Sequence, residues 1–159
     1  MKGKRVARKL VSSGSEFERL LGYSRAVRDG EWVFVSGTTG FNYKTHTIAD
    51  GVVEQTRQMI ENIRWGLGQA GARFEHLVRV RLYMADAADV ERVAPLLSKV
   101  FRAARPAETL ITARFADPRI LIEMDATALV RERGARPKRP RPAPRAGRRA
   151  AGPRAGRGR

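Results

Sequence analysis

The chain has 159 residues, of which 42% are apolar, so it is long enough for one domain with a core of its own. Its formal net charge is +16. Residues 1–11 contain five Lys or Arg and no acid, and residues 133–159 contain eleven and no acid. The region between them has 16 basic and 16 acidic side chains, so its charges balance. The absence of cysteine excludes disulfides and thiolate chemistry, and no apolar run approaches the roughly 20 residues of a membrane helix.

The first 15 residues are basic, contain three serines and lack the apolar stretch of a secretion signal. We interpret residues 1–15 as a flexible basic arm, and a transit peptide is the alternative. The absence of cysteine fits a cytoplasmic protein, so we expect that localisation. Because no apolar run is long enough for a membrane helix, we expect no membrane partner.

The first predicted ordered unit is a β-hairpin in the segment YSRAVRDGEWVFVSG, where Asp29-Gly30 separates two strand-like runs. The second run alternates between two largely apolar sets of side chains, which begin with Trp32 and Val33. This pattern predicts an interior strand that is covered on both faces.

Two helices and three strands follow in the prediction. Apolar residues recur at helical spacing over about residues 51–70 and again over about 90–101, where Pro95 either bends the helix or marks its start. Alternating residues predict strands near residues 78–84, in TLITARF, and in ILIEMDATALV after a turn at Asp117-Pro118. The order ββαβαββ predicts an α+β domain over residues 16–132, with a mixed sheet and two helices on one face.

The segment 133–159 is built almost wholly from Gly, Ala, Pro and Arg, so it is predicted to be a disordered basic tail. It can bind nucleic acid through phosphates without reading the sequence. The alternative is an extended reading frame in a GC-rich genome, because these residues have codons of G and C alone. The composition leaves both interpretations open.

Four blocks of residues 22–131 resemble the Rid (reactive intermediate deaminase, YjgF-like) family: YSRAVRDGEWVFVSGTTG, EQTRQMIENI, LYMAD and RPAETLITARFADPRILIEMDATA. The resemblance implies a chorismate-mutase-like fold and a homotrimer with small-molecule pockets between subunits. It also implies hydrolysis of enamines and imines to keto acids and ammonia, without a cofactor or metal.

The resemblance also implies site residues. The family pattern places a carboxylate-gripping arginine after Pro-Ala before the fourth strand, and here the triplet is Pro106-Ala107-Glu108. An acid at this place would repel an anionic substrate instead of forming a bidentate pair with it. Glu123 matches the glutamate that positions the attacking water, and the matching pocket residues are Tyr23, Gly37, Thr38 and Leu110.

Glu123 and Asp125 lie two apart in a predicted strand, so their side chains share a face with Cα atoms about 6.5 to 7 Å apart. Such a pair can do acid and base chemistry, or its members can form ion pairs with nearby arginines. For Asp125 we prefer the ion pair. The candidates for that pairing are Arg79, Arg81, Arg114 and Arg119. His46 and His76 have no ligand spacing, so no metal site is expected.

The leading hypothesis is a cofactor-independent imine or enamine hydrolase, or a protein that binds a related metabolite, with Glu123 as the catalytic residue. A non-catalytic ligand-binding module is the first alternative. A nucleic-acid-associated protein that acts through its basic tail is the second.

Overall fold

The computed structural model describes residues 7–131. The helices are α1 (Glu16–Leu21), α2 (Val52–Gln69) and α3 (Val90–Phe101), with short 3₁₀ turns at Phe74–His76 and Ala87–Asp89. The strands are β1 (Lys9–Val11), β2 (Ala26–Asp29), β3 (Trp32–Thr39), β4 (Phe41–Asn42), β5 (Thr47–Ile48), β6 (Leu77–Met84), β7 (Ala107–Thr112) and β8 (Ile122–Leu129).

Six of the strands form one sheet in the order β1-β2-β3-β8-β6-β7, and β4 pairs with β5 alone. All neighbours in the large sheet are antiparallel except β6 and β7, which are parallel and are joined through α3. The predicted order ββαβαββ corresponds to β2, β3, α2, β6, α3, β7 and β8. The α+β class and the mixed sheet are therefore confirmed.

The predicted arm is partly wrong, because β1 lies inside it and forms the edge of the sheet. Lys9 to Val11 pair with Arg28 to Ala26, and the Val11 side chain is buried. The Lys9 ammonium also donates a hydrogen bond of 2.6 Å to the carbonyl of Gln69 at the end of α2. A three-residue strand is too short for a visible alternation pattern. The predicted tail, residues 133–159, lies outside the described residues, as do residues 1–6.

The two long helices pack together and cover one face of the sheet, as predicted. Every second residue of β8, from Ile122 to Ala128, is buried on this face. Pro95 lies inside α3 and not at its start. The core contains side chains from the sheet and both helices, including Val33, Leu82, Met84, Met124, Met59, Ile63, Leu67, Val93 and Leu97.

The opposite face of the sheet is open in the single chain. Trp32 and Phe34 stack with ring centroids 6.4 Å apart and are 45% and 48% exposed. β3 is an interior strand in its hydrogen bonding, since β2 and β8 flank it, but the prediction that both faces are covered is wrong for one protomer. No helix among residues 7–131 is long and apolar enough to cross a membrane.

Candidate functional site

A β-bulge near the end of β3 determines which residues face the open side of the sheet. Between Val35 and Thr38 the chain of β3 advances three residues, while its partner strand advances only two, from Ala126 to Met124. The extra residue shifts the alternation by one position, which is how bulges re-aim side chains beside functional sites.

The bulge places Gly37 against Glu123. Strict alternation would put Gly37 on the same face as Val33 and Val35, and the bulge turns it to the opposite face. A Cβ atom added to Gly37 would overlap the Glu123 carboxylate, so glycine leaves the space in which that carboxylate lies. Thr38, the next residue, is fully buried on the helix side and pairs with Met124.

The Glu123 carboxylate lies in the wall of a cavity of about 520 Å³ at this end of the open face. Tyr23 and Gly37, both predicted as pocket residues, line the same cavity. Much of the remaining wall is apolar and comes from α1, β4 and the loop before β8, through Phe17, Leu21, Phe41, Phe115 and Ile120. Concave, mostly apolar sites with a few polar groups are typical of small-molecule binding.

Arg25 is the central polar residue of the wall, and its side chain is only 2% exposed. Its Nε donates to Glu18 at 3.0 Å, and its Nη1 donates to the Gly37 carbonyl at 2.7 Å and to the Thr38 hydroxyl at 3.2 Å. Its Nη2 donates to the Tyr23 hydroxyl oxygen at 3.1 Å. Arg25 therefore connects the N-terminal segment, the bulge and the pocket tyrosine.

Aromatic rings and a buried acid enclose the Arg25 guanidinium. It lies 5.5 Å from the ring centroid of Tyr23 and 5.1 Å from that of Tyr43, both within cation–π range. Burial favours the neutral form of Glu18, but hydrogen bonds from Ser13 and Ser12 and the charge of Arg25 outweigh it and lower the pKa of Glu18. Glu18 is therefore a carboxylate that neutralises the arginine.

Glu123 and Asp125 project from the same strand and differ in their partners. Arg81 donates to Asp125 at 2.9 Å, and the Tyr83 hydroxyl donates at 3.2 Å, so the predicted ion pair of Asp125 is confirmed. Among residues 7–131, no group donates a hydrogen bond to the Glu123 carboxylate. Burial raises the pKa of Glu123, the Arg25 charge opposes this rise, and Asp125 adds to it. Glu123 is thus open to water or a ligand.

The remaining predicted site residues lie elsewhere in the protomer. Glu108 and Leu110 are exposed on β7 and do not line this cavity. Glu108 instead lines a shallow groove with Arg102 and Arg105 at the end of α3. His46 lies at the rim of the cavity and is exposed, and within the described range no cluster of acidic or histidine side chains could hold a metal ion.

Sequence reasoning missed Arg25 as a site residue. Arg25 belonged to the predicted hairpin and was not among the arginines considered for pairing. In the structure it lies between α1 and β2, and its carboxylate partner lies seven residues earlier. The available signal was the sequence SSGSEFE before it, in which serines and acids surround a single phenylalanine. That pattern indicates a helix start and does not by itself point to a buried ion pair.

The chain is similar to proteins from archaea, plants and bacteria. The family model described as Endoribonuclease L-PSP matches residues 14–130. A RutC family protein of Pyrococcus abyssi is 34% identical over 107 residues, which cover 67% of this chain and 84% of that protein. The chloroplastic Reactive Intermediate Deaminase A of Arabidopsis thaliana is 30% identical over 125 residues, which cover 77% of this chain and 67% of that one.

Among solved structures, a Mycobacterium tuberculosis protein described as a member of the YjgF/YER057c/UK114 family is 39% identical and superposes with a TM-score of 0.71. The match covers 78% of this chain and 100% of that chain. The family match over residues 14–130 includes strands β2 to β8, both long helices and the residues that line the cavity.

Proposed function

This chain belongs to the Endoribonuclease L-PSP family, the YjgF-like Rid proteins, and on that premise we propose that it binds a small imine, enamine or related metabolite beside Glu123 and hydrolyses it. Some relatives carry the name of an imine deaminase, which supports this reaction class. The observation that carries the proposal is the Glu123 carboxylate, which lies in the wall of a largely apolar cavity without a hydrogen-bond donor of its own in the described chain.

The proposed reaction uses Glu123 first as a base and then as an acid. A water molecule held by the carboxylate adds to the carbon of the C=N bond, and Glu123 takes the proton that the water loses. Glu123 returns this proton to the nitrogen, which gives a carbinolamine. The hydroxyl proton of the carbinolamine then moves to the nitrogen as the carbon–nitrogen bond breaks, and a carbonyl compound and ammonia are released. A carboxylate with a raised pKa is better suited to accept and return this proton near neutral pH.

Tyr23 orients the ligand in this proposal. Its hydroxyl oxygen accepts a hydrogen bond from Arg25, which leaves the hydroxyl proton of Tyr23 free to be donated. The same arginine also donates a hydrogen bond to the Gly37 carbonyl in β3. The polar groups that face the ligand are thus fixed before it binds, which reduces the entropy lost on binding.

We also propose that the protein is a homotrimer in which the open face of the sheet is covered by other subunits. The stacked Trp32 and Phe34 rings support this, since exposed apolar surface of this kind is typical of protein interfaces. β7 is exposed along its whole length in the protomer. In a trimer with pockets between subunits, Glu108 and Leu110 of one subunit would act on the cavity of its neighbour.

The test is ammonia release from freshly generated imines, measured for the wild type, Glu123→Gln and Asp125→Asn at equal protein concentration. Glu123→Gln should abolish turnover because an amide cannot accept the proton of water, while Asp125→Asn should retain most of it. Anionic 2-imino acids should be poor substrates. If β7 reaches the neighbouring cavity, Glu108→Arg should increase the rate at which they are hydrolysed. The mass of the particle in solution tests the trimer.

Two results would favour the alternatives. Wild-type protein that binds ligands in the cavity and never turns them over would indicate a binding module. Nucleic-acid binding that falls steeply with salt and is lost when residues 133–159 are removed would indicate a function of the basic tail.

A further inference from the structure

Both arginines that line the cavity are already paired with a carboxylate of the same chain. Arg25 and Glu18 form a buried ion pair at 3.0 Å. Arg119 and Asp117 form a second pair, with a closest distance of 2.6 Å and two nitrogens of the guanidinium involved. A cation that is paired in this way attracts an incoming anion weakly, because the anion must compete with the resident carboxylate.

Most of the other donors of Arg25 are used as well. Arg25 donates to the Gly37 carbonyl, to Thr38 and to Tyr23, so at most one of its five N–H groups remains for a ligand. The Arg119 guanidinium lies over the Phe41 ring, 5.5 Å from its centroid. Arg25 therefore has no free two-pronged edge for a carboxylate, and the Nε–Nη2 edge of Arg119 is occupied by Asp117.

The charge that remains in the wall is negative. Its acidic side chains and arginines are Arg25, Arg119, Glu16, Asp117 and Glu123, which are two cations against three carboxyl groups. Glu16 lies at the exposed rim with Arg19 as its partner at 3.2 Å. Glu123 is therefore the carboxylate of the wall that has no cationic partner in contact within the described chain, and its surroundings are mostly apolar.

We infer that this cavity selects cationic or uncharged apolar ligands, with Glu123 as the counter-charge of the cation, and rejects carboxylates. The preferred form of a substrate would be a protonated imine without an acidic group, which is also the form that water attacks most readily. This inference rests on the proposed function for the imine, but the charge preference itself follows from the arrangement of the carboxylates and arginines.

The test uses three planar probes of nearly the same shape and different charge: benzamidine, which is a cation at neutral pH, benzamide and benzoate. Calorimetry or protein NMR on the full-length protein gives the three dissociation constants. We expect benzamidine to bind most tightly and benzoate at least about tenfold more weakly than benzamidine, a difference of about 1.4 kcal/mol.

Two variants test whether Glu123 causes the preference for the cationic probe. Glu123→Gln should make the dissociation constant of benzamidine similar to that of benzamide, because it removes the unpaired charge without changing the shape of the side chain. Asp125→Asn is the matched control, since this carboxylate is on the same strand and is already bound to Arg81. It should keep the order of the three probes.

Benzoate binding as tight as benzamidine binding would overturn the inference, and so would a failure of all three probes to bind at millimolar concentration. Tight benzoate binding would show that a cation from another subunit enters the cavity. None of the probes needs to react, so a protein without imine hydrolysis can still show the charge preference. Conversely, hydrolysis of imines with no charge preference would remove only this inference.

Discussion

The two faces of the central sheet are built from the same strands and are stabilised differently. On the covered face, the alternate residues of β8 from Ile122 to Ala128 pack against α2 and α3 and are almost wholly inaccessible. On the open face, the residues between them include two carboxylates, one bound to Arg81 and one without a bonded partner in the described chain. Packing therefore fixes the strands from one side and leaves the other side free for chemistry.

The largest expected difference between the faces is in stability. Leu82 is fully buried on the covered face, so Leu82→Ala should lower the free energy of unfolding by about 2–5 kcal/mol through lost apolar contact and a cavity. Phe34→Ala on the open face should cost much less in an isolated protomer, because Phe34 is 48% exposed. Denaturant unfolding of both variants measures the two values. Equal losses would show that the open face is covered in solution.

Sequence periodicity predicted the covered face well because burial acts on every second residue of a strand. It predicted a strand in ILIEMDATALV, whose alternate residues from Ile122 to Ala128 are the buried ones, and it placed both long helices close to their observed bounds. It failed at Gly37, because a bulge inserts one residue without any fixed sequence signal.

The site itself was only partly predictable. Tyr23, Gly37 and Glu123 followed from the resemblance to a family, and all three line one cavity. Arg25 could not be found in this way, since its role depends on contacts with Glu18 in α1, Gly37 in β3 and Tyr43 after β4. Contacts between distant segments are set by the packed fold and leave no periodic trace in the sequence.

Gly37→Ala should impair the site without destabilising the fold. The added methyl group would displace the Glu123 carboxylate, which is the flexible end of a side chain and can move away without disturbing the backbone. We expect turnover and benzamidine binding to fall at least about tenfold, equivalent to about 1.4 kcal/mol, with little change in Tm. Gly66→Ala is the control, because a Cβ there meets only ordinary contacts with Arg25 and Val35. A large loss of Tm in Gly37→Ala would show that the glycine serves the backbone instead.

Asp125→Asn should have a smaller effect, which sharpens the contrast between the two carboxylates of β8. The substitution weakens an ion pair with Arg81, a side chain that is 48% exposed, and exposed pairs contribute about 0.2–1 kcal/mol. Thermal unfolding at low and high salt measures this contribution, which should shrink as salt screens the pair. A loss that is independent of salt would contradict the ion-pair explanation.

The smallest expected effect is the pH dependence that Glu123 gives to stability. Burial raises the pKa of Glu123, so the folded protein holds this proton more tightly than the unfolded chain does. Its contribution to stability is therefore fully present below the ordinary pKa of a glutamate and is lost as pH rises through the raised value. At neutral pH the charged, partly buried carboxylate is unfavourable, and Glu123→Gln should raise Tm slightly.

This gain should disappear as the pH falls toward about 4, where the wild-type glutamate is itself protonated. Tm measured against pH for the wild type, Glu123→Gln and Asp125→Asn gives the result, with Asp125→Asn showing no such gain at neutral pH. A neutral-pH loss of Tm in Glu123→Gln would mean that the carboxylate has a stabilising partner in the assembled protein, and the open site inferred from one protomer would then be wrong.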